Sequence, residues 1–278
     1  MPSGIRDYKK LLSIFRRLNL HVVTFTRSTP DTAAKVEVGK DGAVGWGDAA
    51  TVVNPWDEYS LEETILQAEN ASGKSTVIAI GGEMHNDALK HSLAMGIENA
   101  IRIDDPNLDS TDSLAYATAA AGAIKKLGDV DLVIFGKESV DVGTDQHAYM
   151  TARKLGWTML SYVSKIVAID YANKTITVEK MYEQGKQTVT SQLPAVITVM
   201  KGINEPRYPS FIGIRKASKA TIPVWSLGDL GISAPAKKAE TVAFMNLPTK
   251  EVQVEMITGT PEEQAAQLVE KLLEAKVL

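Results

Sequence analysis

The chain contains no cysteine. Disulfides, thiolate-held metals and cysteine nucleophiles are thereby excluded, and the composition fits a cytoplasmic protein. It also lacks any run of about 18 apolar residues, so no stretch predicts a membrane-spanning helix. A basic excess is missing too. Lys and Arg number 30 against 34 Asp and Glu, a formal charge of −4. With no long basic stripe, nucleic-acid binding is not expected. The four histidines, His21, His85, His91 and His147, fall in no HExxH-like spacing, and no metal site is expected. The patterns GxSxG, GxxxxGK(S/T) and GxGxxG are all absent. No acid, base and nucleophile set stands out, and no catalytic residue is assigned.

What is present is ample apolar material. The 278 residues are 44% hydrophobic, enough for one large domain or one and a half. Residues 1–19 are locally basic and carry Leu11, Leu12, Ile14, Phe15 and Leu18 at helical spacing. They read as an extra N-terminal helix resting on the protein or on a partner, with a targeting or membrane-surface helix as the alternative.

From residue 20 the pattern alternates. LHVVTFT (20–26) predicts a strand, and KVEV with AVGWG a short hairpin. Asn54 then precedes Pro55, which suits the first helical position, and Asp57 and Glu58 follow where acids complement the helix dipole. STVIAIGG (75–82) predicts a strand, DALKHSLAMG (87–96) a helix, AIRID (100–104) a strand, and SLAYATAAAGAIKKLG (113–128) an Ala-rich helix. VDLVIFG (130–136) is a continuous apolar run, and a helix over 145–155 follows it. Strand alternating with helix, with the strands apolar throughout, predicts a parallel sheet covered on both faces.

After about residue 157 come strand-like segments without helices between them: MLSYVSKIVAID, TITVEKMYEQ, KQTVTSQ and AVITVM. They predict an antiparallel addition that extends the sheet or builds a small second layer. The tail from 232 reads as an extension with an extended stretch, VQVEMITG. It closes with a helix in which Thr260 caps, Pro261 starts, and Leu268, Val269 and Leu272 form an apolar stripe. The domain expectation is therefore 1–19 extra helix, 20–231 α/β domain and 232–278 extension.

Ligands of open parallel sheets bind beyond the carboxyl ends of the strands, where strand order reverses. Phe25 to Asp31, the NPWDE turn (Asn54, Pro55, Trp56, Asp57), Gly81–Gly82 and the loop Gly136–His147 all converge on that edge. The last of these, GKESVDVGTDQH, is longer than the ~2–6 residues usual between strand and helix. Gly136, Ser139 and Gly143 give room for a close approach. Thr144 is placed to cap the helix, leaving the amides of Asp145, Gln146 and His147 free to bind a phosphate. A capped helix after a long surface loop explains the same residues equally well. Asp145 would repel a phosphate unless its side chain points away. Trp56 could stack on a ring or simply pack, and His147 could meet a phosphate or stand exposed at the helix start. Glu62–Glu63 and Glu262–Glu263 read as solvated helix faces.

These segments together resemble the β (small) subunit of electron-transfer flavoproteins. The resemblance rests on LPAVITVMKGINEPRYPSFIGIRKASK (193–219), TPDT (29–32), NPWDEYSLEE (54–63), HSLAMG (91–96), GKESVDVGTDQHAYMTA (136–152) and the closing TPEEQAAQLVEKLLE. It implies a nucleotide-binding fold of the adenine nucleotide α-hydrolase-like kind. It also implies AMP in this chain, held by Phe25, Asn54 to Asp57, Gly81 and Gly136 to His147. FAD would be held by an α subunit and walled on one side by TPDT and NPWDE. The tail would pack on that α subunit. The NEPRY segment would lead into a loop docking transient dehydrogenase and quinone-reductase partners, with Tyr208, Phe211 and Ile212 at its surface. For Phe211, core packing is the ordinary alternative. The chain departs from the usual family pattern in its first 19 residues, at Arg27 (commonly Lys), and at Val142, Asp145 and the HAY of 147–149. Two other readings follow: a bifurcating type with a second FAD in this chain that oxidises NADH, and a free-standing adenine-nucleotide-binding stress-type protein.

Overall fold

A computed structural model describes residues 20–236, 241–248 and 254–277. The expected N-terminal helix and part of the extended tail stretch lie outside the described residues. Chain order begins β1 (His21–Phe25), β2 (Ser28–Pro30), β3 (Glu37–Val38), β4 (Val44–Gly45), β5 (Thr51–Val53) and α1 (Pro55–Asn70). It continues β6 (Lys74–Ile80), α2 (Asn86–Met95), β7 (Asn99–Ile103), α3 (Ser113–Leu127), β8 (Leu132–Gly136) and α4 (Gln146–Leu155). The remainder is β9 (Thr158–Asp170), β10 (Thr175–Tyr182), β11 (Gly185–Gln192), β12 (Ala195–Val199), α5 (Phe211–Ser218), β13 (Val224–Trp225) and α6 (Pro261–Glu274).

One nine-stranded sheet organises the chain, in the order β11-β10-β9-β12-β8-β1-β6-β7-β13. From β9 to β13 every pairing is parallel, while β9, β10 and β11 are antiparallel. The antiparallel strands therefore extend the sheet rather than forming a second layer. Both faces are covered, which is why the central strands are apolar without alternation. Val23, Phe25, Ile78, Val133 and Phe135 face a core with α3 and α4. Val77 and Ala79 face Leu61 and Ile65 of α1 and Leu89 of α2. In α3 the fully buried side toward the sheet is Ala119, Ala120 and Ala123, so the helix lies close to it. Asp112 caps that helix by accepting from Leu114 N (2.8 Å) and Ala115 N (2.9 Å).

Contacts divide the chain into two units, one of residues 1–36 and 45–242, the other of 37–44 and 243–278. In the second, Asn246 clasps the backbone of Val38, accepting from its N–H (2.8 Å) and donating to its carbonyl (3.0 Å). Its helix α6 starts as the sequence predicts. Thr260 accepts from Glu263 N, Glu263 accepts from Thr260 N (2.8 Å), and Pro261 opens the first turn. No residue of α6 is buried.

One expectation about α1 is overturned. Glu62 and Glu63 are not a solvated face, since both are buried. Arg207 grips Glu62 through Nε and Nη2 at 2.9–3.1 Å, its own N–H donates to Glu62 Oε2 (3.1 Å), and it reaches Glu69 at 2.9 Å. Asn204 Nδ2 donates to Glu63 Oε2 (2.9 Å) and to the carbonyl of Tyr59 (3.0 Å). A carboxylate leaves water only for a cation and well-placed donors, and the NEPR segment supplies both from about 140 residues further along the chain. Glu262 and Glu263 are exposed, as expected.

Arg207→Ala strands Glu62 as an uncompensated buried charge. We expect a loss of about 2 kcal/mol, below the ~3–5 kcal/mol of fully buried pairs because Arg207 itself is partly solvated. Glu69→Gln, which removes only an exposed partner, is expected to cost less than about 1 kcal/mol. Urea denaturation of the two variants checks the contrast.

Candidate functional site

Strand β1 sits where the sheet changes direction. The chain leaves it for β6 and β7 on one side, then returns through β8 to β12 on the other. A cleft opens at the carboxyl ends of β1 and β8, the switch point expected of a doubly wound sheet. Of the sequence-predicted residues, Phe25, Asn54, Asp57, Gly136, Ser139, Thr144, Asp145 and His147 line it. Pro55, Trp56, Gly81, Gly143 and Gln146 do not line it. Thr26, Arg27, Lys137 and Glu138, which fall inside the segments the sequence points to, line it as well, whereas Tyr116, Phe135 and Ala148 lie outside them and were missed. Tyr116 had a visible signal, a lone aromatic in an alanine run.

The long loop after β8 is tied down by one side chain. Asn54 Nδ2 donates to the carbonyl of Glu138 (2.9 Å), and Val140 N donates to Asn54 Oδ1 (3.2 Å). Within the loop, Ser139 N donates to the carbonyl of Thr144 (2.9 Å) and Gly143 N to that of Ser139 (2.8 Å). Gly143 takes a φ of +61°, a conformation glycine adopts without a Cβ penalty. The Ser139 hydroxyl donates to Asp141, whose carboxylate also pairs with Arg27 at 2.8 Å. Arg27, from the segment after β1, thus latches the loop from the opposite wall.

Gly136 is required for a different reason than the sequence implies. A Cβ there would stand 2.5 Å from Asp57 Oδ1 and 2.8 Å from the Trp56 carbonyl group. The glycine admits the start of α1, not a ligand. Gly81 likewise makes room inside the protein, since a Cβ on it would lie 2.7 Å from His85 Nε2. Trp56 packs under Lys137, whose Nζ is 4.9 Å from the ring centroid.

At the helix start the expected cap moves. Asp145, not Thr144, occupies the N-cap position, and it makes no side-chain cap. Thr144 Oγ1 accepts from Gln146 N (3.3 Å), so one of the amides expected to be free is engaged. Asp145 does turn aside, accepting from the Tyr162 hydroxyl (3.4 Å).

His147 is not exposed. It is buried with its ring stacked on Tyr116, centroids 3.9 Å apart and planes 8° apart. Phe25 stacks on Phe135 at 4.7 Å and tilts against Tyr116 at 6.2 Å, so four rings form a continuous column under the cleft. Burial, then the nearby Arg27 charge, lowers the His147 pKa to about 4, so its ring is neutral near neutral pH. Burial pushes Asp57 the other way, up to about 7, against the pull of Asn54 and Arg27. Thr26 Oγ1, Arg27 Nε and His147 Nε2 are buried without a hydrogen-bond partner. The free space left is about 30 Å³.

Outside this cleft, Tyr208, Phe211 and Ile212 are 94%, 84% and 81% exposed. Core packing is thereby excluded for Phe211. Among the described residues no cluster of His, Cys, Asp or Glu could hold a metal, and no helix is long and apolar enough to cross a membrane.

Two variants test this geometry. Gly136→Ala should destabilise the protein by more than about 2 kcal/mol, the range for overpacking against backbone. For Asp57 the folded pKa lies above the unfolded one, so the folded state holds its proton more tightly. That contribution is complete below about pH 4 and is lost as the pH rises through about 7. Asp57→Asn should therefore gain stability relative to the parent as pH rises across that window. Denaturant midpoints at pH 4.5, 6 and 8, chosen to span the window, measure both effects.

Comparison with known proteins gives this geometry a family. Residues 47–230 match the Electron transfer flavoprotein domain. The chain is similar to the electron transfer flavoprotein subunit beta of Bacillus subtilis, 31% identical over 265 residues, which cover 94% of this chain and 100% of that one. It is 30% identical over 265 residues to subunit CarD of the caffeyl-CoA reductase-Etf complex of Acetobacterium woodii, 93% and 100% of the two chains. To Protein FixA of Azotobacter vinelandii it is 31% identical over 255 residues, 90% and 88% of the two. A parallel-dominated sheet with its cleft at the switch point, read with these matches, places the chain in the electron transfer flavoprotein family, among its β-type subunits.

Proposed function

We propose that this chain is one half of a heterodimeric electron carrier. A larger α-type chain would hold FAD, and this chain would shape one wall of the flavin environment and present a docking surface to redox partners. FAD would supply the electron-carrying chemistry. The chain's own residues would position, exclude water and recognise. The observation that carries this reading is a contrast within the molecule. Within a chain whose central strands are wholly buried, strongly apolar surface is left uncovered elsewhere.

Two such surfaces stand out among the described residues. Tyr208, Phe211 and Ile212 project from the start of α5, where Gly213 lies so close to α2 that a Cβ would stand 2.3 Å from the carbonyl of Ala94. Arg207 and Asn204 hold the preceding segment to α1. The patch is exposed but its footing is rigid, as suits an anchor for partners that bind and leave. The second surface is the stripe Leu268, Val269 and Leu273 of α6, with Val254 and Met256 before it. We assign this tail to the interface with the α-type chain, and the patch at α5 to dehydrogenases and an acceptor such as a quinone reductase. Segments 29–32 and 54–57 are the parts assigned to the flavin wall.

Co-expression with an α-type electron transfer flavoprotein subunit should give a yellow heterodimer, whereas this chain alone should be colourless. A heterodimer without visible flavin absorbance would sink the reading. Phe211→Ala should leave FAD content unchanged and raise KM for the donor dehydrogenase by about tenfold or more, as loss of a buried anchor does. Steady-state reduction of the complex by the donor measures it.

A further inference from the structure

We infer that this chain fills its own nucleotide cradle. The rings of Phe25, Tyr116 and His147, with the Arg27–Asp141 pair, take up the space an adenylate needs, and the β-type chain carries no bound nucleotide. The inference rests on the family reading only for the expectation that a nucleotide belongs here.

Space is the first argument. Ligand pockets measure roughly 300–1,000 Å³. The free space in this cleft is about 30 Å³, more than the ~10–15 Å³ needed to admit a water and far below the size of a ligand pocket. The missing volume is held by side chains in mutual contact. His147 lies flat on Tyr116 at 3.9 Å, and Tyr116 leans on Phe25, which stacks on Phe135. His147, Tyr116 and Phe25 are all buried. Admitting a purine would mean expelling at least one of these rings from a close-packed column.

Charge is the second. The cations lining the cleft are Arg27 and Lys137, and each already faces a carboxylate: Asp141 at 2.8 Å and Glu138 at 3.3 Å. Asp145 adds a further acidic side chain to the lining. His147, buried and stacked, offers a neutral ring. A phosphate entering here would have to displace a carboxylate from its cation and sit near others, which Coulomb repulsion opposes.

The unpartnered atoms do not argue for a nucleotide. Thr26 Oγ1, Arg27 Nε and His147 Nε2 are polar groups around a water-sized space, and one water with two to four partners satisfies such a set. The column and the latch then do what a bound nucleotide would otherwise do, bracing the loop 137–145 against β1 and α1. A second FAD, larger than AMP, meets the same wall.

The test is the nucleotide content of the purified heterodimer with its α-type partner, and of the full chain alone, after denaturation and chromatography. We expect FAD from the heterodimer and less than one-tenth equivalent of adenylate from either sample. Millimolar AMP should leave the wild-type melting temperature unchanged. Tyr116→Ala or His147→Ala, checked as folded by circular dichroism, should open the cleft and bind AMP at least tenfold more tightly than wild type. Near-stoichiometric AMP in wild type would overturn the inference, as would equal AMP affinity in wild type and both opened variants. Loss of FAD or failure to pair with the α-type chain would strike the family role and leave this inference to stand or fall on the chain alone.

Discussion

The contact on which the rest depends is the one between Gly136 and the first turn of α1. The carboxyl end of β8 and the start of α1 meet with no side chain between them. That approach buries Asp57, fixes Asn54, and lets Asn54 reach both a carbonyl and an amide of the loop that follows β8. Because the loop is held at Glu138 and Val140, Asp141 comes within reach of Arg27. A chain of consequences thus runs from one missing Cβ to the Arg27–Asp141 latch across the cleft.

The same helix carries a second set of obligations along its length. Asn54 and Asp57 sit at its start, Glu62, Glu63 and Glu69 further on. The first group organises the switch-point cleft and the second anchors the segment that bears Tyr208 and Phe211. An α-helix is stiff over this distance, so the geometry of one surface is passed to the other. Acid groups on one helix divide cleanly by what surrounds them. Asp57 has Asn54 and the charge and backbone of Arg27 beside it, yet burial outweighs them and raises its pKa. Glu62 has a bidentate guanidinium that grips it through charge-assisted hydrogen bonds.

Much of this fold was legible in the sequence. Strands β1, β6, β7 and β8 announce themselves as apolar runs, and α2 and α3 end at Gly96 and Gly128, as the turn chemistry predicts. The cleft's position also followed, since strand–helix alternation places it at the carboxyl edge. What was not legible depends on contacts distant in sequence. Nothing in SLEET shows that Glu62 and Glu63 are buried, because their partners are Arg207 and Asn204. His147 looks like an exposed helix start until Tyr116, 31 positions earlier, is found beneath it. Thr144 and Asp145 are both good capping residues, and only the loop's own hydrogen bonds decide between them. At Gly136 the sequence shows that space is needed but not that the start of α1 fills it.

Helix α6 has 14 residues and buries none of them. A helix of this length, held by its capping box and by exposed polar contacts to residues 255–258, is marginal in water. Under the assembly proposed above, its leucines and valine would gain full shelter only against the α-type chain. In a cell, copies of the chain made in excess of their counterpart would display that stripe to chaperones and proteases. Matching the supply of the two polypeptides would then need no dedicated regulator, because the unsheltered surplus is removed.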